Sequence, residues 1–188
     1  MIWKTLIAEG VQKLLEHNEC SGAHFASTPK RVLATYENMF QRNWYDDHLA
    51  VTFPVQSSMM IHVAPVRITA WCAHHLLPIV GVAHFAYIPD SKVVGLSKIP
   101  RFIRGISCAA PTVQEDLTVR IARVFQERVQ PVGCGVWMRC YHSCMSARGV
   151  LEHDALTTTT ALEGNFLSSE KARQEFLGAV DTRMRVVG

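Results

Sequence analysis

Two short stretches concentrate the side chains that could do chemistry. WCAHHLLPIVG, Trp71 to Gly81, sets Cys72, His74 and His75 in an otherwise apolar run, and GCGVWMRCYHSC, Gly133 to Cys144, ends on His142 and Cys144. Cys72 and His75 are three residues apart, a separation from which two side chains converge on one metal ion if the chain turns there. His74, next to His75, then points elsewhere and is free to move protons. In the second stretch, strand alternation puts Val136, Met138, Cys140, His142 and Cys144 on one face. His142 and Cys144 are then about 6–7 Å apart, whereas Cys140 is about 13 Å from Cys144, too far to share an ion. Cys140 therefore reads as core. Cys72, His75 and Cys144 make a Cys2His set with its fourth position open, the mark of a catalytic rather than a structural zinc, because a water must bind there and lose its proton near neutral pH. A lone Cys or His in an apolar run is ordinarily a core residue; two clusters that each pair Cys with His favour a metal.

The elements that must carry these groups follow from periodicity. Ile2 to His17 places Leu6, Ile7, Val11, Leu14 and Leu15 near helical spacing. STPKRVLATYENMF predicts a second helix, capped by Ser27 or Thr28, with Pro29 in its first turn and Val32, Leu33, Tyr36, Met39 and Phe40 as its apolar stripe. Asn43 to Ser58 reads as connection. MMIHVAPVRITAW, VGVAHFAYIP and KVVGLS read as strands, with Pro89-Asp90-Ser91 as a turn between the last two. Thr112 to Val129 returns to a helical period through Val113, Leu117, Ile121, Val124 and Phe125. GCGVWMRCYHSC and the Thr-rich end of VLEHDALTTTTALEG give two further strands, and SSEKARQEFLGAV gives a closing helix capped by Ser168 or Ser169. The order is two helices, about three strands, a helix, two strands and a helix, which is α+β. The expected organisation is a helical segment, 1–45, and a catalytic part, 46–188, within a single domain overall.

Composition narrows the class. At 188 residues and 48% apolar content the chain can bury a real core. No window reaches the roughly 18 uncharged apolar residues of a membrane span, and the charged N-terminus does not read as a signal peptide; a cytoplasmic location and no membrane partner are expected. A net charge of +3 is too weak to imply nucleic acid. Lys92, Lys98, Arg101 and Arg104 nevertheless fall in a stretch with no acid among them, so it is either a solvated face or a patch for an anionic ligand. Six cysteines in such a chain suggest thiols and metal ligands before disulfides.

Several of these stretches, in order, resemble the GTP cyclohydrolase I family. STPKRV resembles its helix-opening motif, C-A-H-H-L-L-P its C-E-H-H motif, AYIPDSKVVGLSKI its phosphate-contacting segment, VQEDLT its V-Q-E-R-L-T, and HSCMSARG its H-x-C-x-x-x-R-G element; TTTT and the closing R-x-E-F-L also fit. The resemblance implies a tunnelling fold, an antiparallel sheet with helices on one face, assembled as pentamers that stack into a toroidal decamer with active sites between subunits. It implies hydrolysis of the guanine imidazole ring of GTP to formate and 7,8-dihydroneopterin triphosphate, toward tetrahydrofolate and other pterins or deazaguanines. By position it implies Cys72, His75 and Cys144 as zinc ligands and His74 and His142 as the proton-transfer pair. Glu115 would accept hydrogen bonds from guanine with Gln114 beside it, and Ser97, Lys98, Arg101 and Arg148 would hold the triphosphate.

The chain departs from that pattern in three places. Ala73 stands where the family usually has glutamate, SCAAPT (Ser107 to Thr112) replaces a segment that usually carries arginines, and Asp116 replaces the arginine of Q-E-R-L-T. Three accounts follow: an active GTP cyclohydrolase I that lost supporting groups; a homologue acting on another purine nucleotide, or binding one without catalysis; and a purely structural zinc protein. The last would need a fourth protein ligand and leaves His74 and His142 without a purpose.

Overall fold

The computed structural model describes residues 2–39, 48–56 and 59–186. The chain divides into two compact units, Met1–Gln41 and Arg42–Gly188. The first is a pair of helices, α1 (Ile2–His17) and α2 (Thr28–Met39), joined by an ion pair between Lys4 and Glu37. Its apolar stripe stays largely exposed, with Leu6 and Leu14 each 61% accessible. Phe40, expected in the apolar stripe of α2, lies outside the described residues.

The second unit is built on an antiparallel sheet. Its order is β2-β3-β5-β6, with β2 Ile61–Trp71, β3 Pro78–Ile88, β5 Gly133–His142 and β6 Leu156–Gly164. A separate two-stranded pair joins β1 (Thr52–Pro54) to β4 (Lys92–Val94). Part of the stretch expected to be mere connection is therefore structured: a 3-10 turn at His48–Ala50 leads into β1. Its residues 43–47, 57 and 58 lie outside the description. The β2–β3 register shifts between Val63 and Val66, where Pro65 has no N–H to give the ladder.

One face of the sheet is covered by α3 (Lys98–Cys108) and α4 (Gln114–Val129). Helix α3 is absent from the element order expected from sequence. Its buried residues Ile99, Phe102, Ile103 and Ile106 keep helical spacing, but Pro100, Gly105 and three cations made the segment resemble a polar loop. Phe125 of α4 is the hub of this core, with ring centroids 4.6 Å from Phe85, 5.1 Å from Tyr87 and 5.9 Å from Phe102. Burying an aromatic ring of this kind contributes about 1.5–3 kcal/mol. The C-terminal helices α6 (Asn165–Ser168) and α7 (Glu170–Val186) bring Phe166, Phe176 and Val180 to the reverse face of the sheet, over Ala86 and Trp137. Ser169 caps α7 by accepting from the Ala172 N–H at 3.4 Å.

Strands β3 and β5 approach so closely at Gly81 that a Cβ there would lie 2.2 Å from the Arg139 carbonyl oxygen and 2.6 Å from the Cys140 Cα. Only glycine fits without parting the two strands. The register then matters for chemistry. Trp71 pairs with Pro78, Ile79 with His142, and Tyr141 with Leu156. The end of β2, the start of β3, the end of β5 and the start of β6 therefore meet at one end of the sheet.

Candidate metal centre and active site

Cys72 follows directly on β2 and is 4% accessible. It is held on two sides. Its N–H donates to the Leu77 carbonyl at 2.9 Å and its carbonyl accepts from the Leu76 N–H at 2.9 Å, closing a tight loop. On the other flank, Thr112 donates its N–H to the Trp71 carbonyl at 2.8 Å, and the Ala73 N–H donates to the Thr112 carbonyl at 3.0 Å. The SCAAPT segment thus ends by pinning the loop that carries the histidines. Leu76 belongs to this loop, with a left-handed φ of 52°, and the strand expected from VGVAHFAYIP begins two residues earlier, at Pro78.

A second correction concerns Cys144. The strand ends at His142, and Ser143–Ser146 form a single helical turn, α5. Alternation along one strand therefore does not account for the approach of Cys144 and His142. Instead the turn swings Cys144 back over the sheet end, braced by a hydrogen bond from the Tyr141 hydroxyl to that of Ser146 and by the Glu152 N–H donating to the Met145 carbonyl at 2.9 Å.

The outcome is a triad of donors. Among the described residues, Cys72, His75 and Cys144 form a group whose ligand atoms all lie within 4.8 Å of one another. Cys72 Sγ is 4.0 Å from His75 Nδ1 and 3.9 Å from His74 Nδ1. A tetrahedral zinc ion sets such donors roughly 3.5–3.8 Å apart, so a small contraction seats one. Two thiols and an imidazole are the donor set zinc favours, and the fit holds on chemistry and spacing alike. Burial pushes the Cys144 thiol up, and the neighbouring Cys72 adds to the rise while Arg148 opposes it. Two uncompensated thiolates repel; a dication between them removes that cost. Cys134 and Cys140, pushed up by burial to about 12 and about 11, stay neutral thiols in the core.

Beside the triad opens a cavity of about 230 Å3 lined by Cys72, His74, Glu115, His142, Cys144 and Thr157 among others. That is below the about 300–1,000 Å3 of sites that enclose a whole small ligand. Gln114 and Glu115 open α4 at its rim. Glu115 is exposed, and its carboxylate faces the cavity beside His142, while Asp116 adds a second acid where the helix dipole favours one. His142 is half-buried; burial lowers its pKa, and the charge of Glu115 works against that. Its Nε2 lies 2.8 Å from Gln114 Oε1. Gln114 is completely buried, and its amide nitrogen donates to the Thr157 carbonyl at 3.0 Å and to Thr159 Oγ1 at 2.9 Å. Expected beside the guanine, Gln114 instead has both N–H donors spent inside the protein.

The remaining expected residues fall elsewhere. Ser97 and Lys98 sit at the N-terminus of α3 with Arg101 exposed one turn on, and none of the three lines this cavity. Arg148 lies against His75 Nε2. The sequence assigned no site role to Thr112, Val113, Met145 or Thr157, which also line the cavity. Their signal was positional, since each adjoins a motif residue.

A thiol–imidazole donor set stands beside a half-buried histidine and a small cavity at one end of an antiparallel sheet, an arrangement that can hold a metal ion and move protons. The family model for GTP cyclohydrolase I matches residues 7–181, and the chain belongs to that family. Its α+β architecture is the family's tunnelling fold. A GTP cyclohydrolase 1 of Hydrogenobaculum sp. (strain Y04AAS1) is 39% identical over 178 residues, covering 94% of this chain and 97% of the relative. That of Aquifex aeolicus (strain VF5) is 41% identical over 153 residues, covering 81% and 82%. Among solved structures, the archaeosine synthase QueF-Like in the apo form matches with 15% identity and a TM-score of 0.47 over 58% of this chain and 97% of that chain, too distant a likeness to carry an argument. Among the described residues no helix is long and apolar enough to cross a membrane.

Proposed function

We propose that the protein hydrolyses GTP to formate and 7,8-dihydroneopterin triphosphate with zinc held by Cys72, His75 and Cys144. The observation that carries this reading is that Cys72 and Cys144, grouped with His75 as three donors, line one small cavity together with His74, His142 and Glu115. Zinc bound there supplies a water of lowered pKa as a nucleophile near neutral pH. The protein's own groups do the rest. Glu115 accepts from the N1–H and 2-amino group of guanine and so presents the imidazole ring inward. Water adds at C8 and the first C8–N bond breaks to leave a formamide, with His142 and His74 carrying protons to the departing ring nitrogen and away from the adding water. A second water breaks the other C8–N bond and releases formate, and the ribose carbons then rearrange and close onto the freed amine with loss of one water. Ser97, Lys98, Arg101 and Arg148 hold the triphosphate. The product supplies pterin synthesis, and six free thiols suit a cytoplasmic enzyme.

The loss of glutamate at Ala73 and of arginines in SCAAPT leaves every group named in this scheme in place, which favours an active enzyme over a binding-only homologue. Purified protein loaded with zinc and given GTP, dGTP, ITP and ATP in turn should release formate and develop pterin fluorescence with GTP. Binding of GTP without formate would instead establish the non-catalytic homologue, and a faster reaction with another nucleotide would reassign the substrate.

The oligomer is a toroidal decamer of two pentamers, in which the α3 cations serve the cavity of a neighbouring subunit. Two observations support it: Ser97, Lys98 and Arg101 stand apart from the cavity, and the cavity alone is too small for a nucleoside triphosphate. Sedimentation should give about ten chains per particle; a stable, active monomer would defeat the shared site.

A further inference from the structure

The threonine run Thr157–Thr160 has no role in the scheme above, yet its alternation is informative. Thr157 and Thr159 are half-buried, and Thr158 and Thr160 are exposed. The inward pair meets Gln114, and the hydrogen bonds there fix which way its side-chain amide faces. The Thr157 carbonyl can only accept, so the group 3.0 Å from it is the Gln114 amide nitrogen, and the amide oxygen must face His142. The second amide hydrogen goes to Thr159 Oγ1 at 2.9 Å. Thr118 Oγ1 donates to the Gln114 carbonyl, again an obligate acceptor, at 2.7 Å. Thr118 Oγ1 also lies 3.2 Å from Met138 Sδ and shares a hydrogen bond with Thr159 Oγ1 at 2.7 Å, and whichever hydroxyl donates in that pair, Thr159 keeps a lone pair for the Gln114 amide. The side-chain polar atoms of Gln114, Thr118 and Thr159 are all hydrogen-bonded, in a site where Gln114 is 0% and Thr118 1% accessible.

Gln114 Oε1 has no hydrogen to give, so the His142 nitrogen 2.8 Å away must carry one. We propose that Gln114, Thr118 and Thr159 are positioning residues that hold His142 as the Nε2–H tautomer, reserving Nδ1 as the nitrogen that exchanges a proton during the reaction. The proposal rests on the reading of His142 as a proton-transfer group. It explains why a buried amide, and not a carboxylate, backs this histidine: a fixed neutral acceptor sets ring and tautomer without adding charge beside two thiols.

The test uses zinc-loaded protein labelled with 15N at histidine, with the His142 ring signals identified by their loss in His142→Gln. In the unaltered protein His142 should show hydrogen on Nε2 and the unprotonated shift on Nδ1. Gln114→Met, close in shape but without the acceptor, should mix the tautomers and lower kcat about 10- to 100-fold, with KM for GTP and zinc content unchanged. Thr159→Val should do the same in smaller degree and Thr159→Ser should restore both readouts, which keeps the test decisive if Gln114→Met does not fold. A wild-type His142 bearing its hydrogen on Nδ1, or variants that raise KM and leave kcat and the tautomer untouched, would overturn the proposal. Should the protein release no formate from GTP at all, the functional reading falls while the tautomer measurement still judges this one.

Discussion

Cys144→Ala should lose its zinc and, with it, release of formate from GTP, lowering kcat/KM at least about a thousandfold, since a metal's electrostatic contribution is several kcal/mol and each 1.36 kcal/mol is tenfold. Cys72 and His75 share one six-residue loop whose hydrogen bonds hold them together without help, so they remain as a two-donor remnant. Two donors do not retain zinc against water or a mild chelator, whereas three in a preformed cluster do. Cys144 is only partly buried and sits on a four-residue turn braced by Tyr141 and Ser146, so its removal leaves the sheet and the aromatic core around Phe125 untouched. Circular dichroism and the oligomeric state should therefore match the parent. Cys140→Ala is the contrasting variant. It removes a thiol that is fully buried on the α3–α4 face of the sheet and should cost some stability while keeping stoichiometric zinc. Zinc and activity that survive in Cys144→Ala would remove Cys144 from the centre and leave the donor triad without a function.

The contrast between these two cysteines also shows what the sequence could and could not reveal. Alternation correctly separates Cys140 from the donors, because a strand's period of two is enforced by its neighbours through the residue where pairing stops. It fails at Cys144 because pairing stops at His142, and nothing in YHSCMS marks that edge; the convergence of the donors comes from a helical turn stabilised by tertiary contacts. Helix α3 escaped for the opposite reason. Its apolar period is present in Ile99, Phe102, Ile103 and Ile106, but Pro100 and the interleaved Lys98, Arg101 and Arg104 dominate a local reading, and only packing against β2 shows which set of residues wins. The candidate site residues were legible as chemistry because Cys and His recur together at short spacing and are side chains that bind metals and carry protons near neutral pH. Gln114 and the threonines were not, since an amide or hydroxyl acquires a meaning only from the atom it faces. The register that brings Cys72, His142 and Thr157 to one end of the sheet could not be read from any single strand, because it is a property of pairs.

Glu115→Gln should lower kcat/KM for GTP by about a hundred- to a thousandfold, the value of two hydrogen bonds to a charged acceptor at about 1.5–3 kcal/mol each, less what the amide can still make. A carboxylate facing guanine accepts from both the N1–H and the 2-amino group. The glutamine amide offers one acceptor and sets its NH2 against the other donor, so one pair of hydrogens is left in conflict. Fold stability should change little. Glu115 is exposed in the first turn of α4, its loss forfeits about 0.3–1 kcal/mol of interaction with the helix dipole, and Asp116 remains to supply part of it. The nucleotide series gives the sharper readout. ATP lacks both donors and should be rejected by the parent; ITP keeps N1–H but lacks the amino group and should fall between. In Glu115→Gln the three should draw together, because the discriminating acceptor pair is gone. The charge of Glu115 also supports protonation of His142 against the burial that lowers it, so its removal should shift the His142 titration to lower pH. Unchanged GTP turnover together with an unchanged GTP-to-ITP ratio would place the guanine somewhere other than against Glu115, and with it the assignment of this cavity to the base.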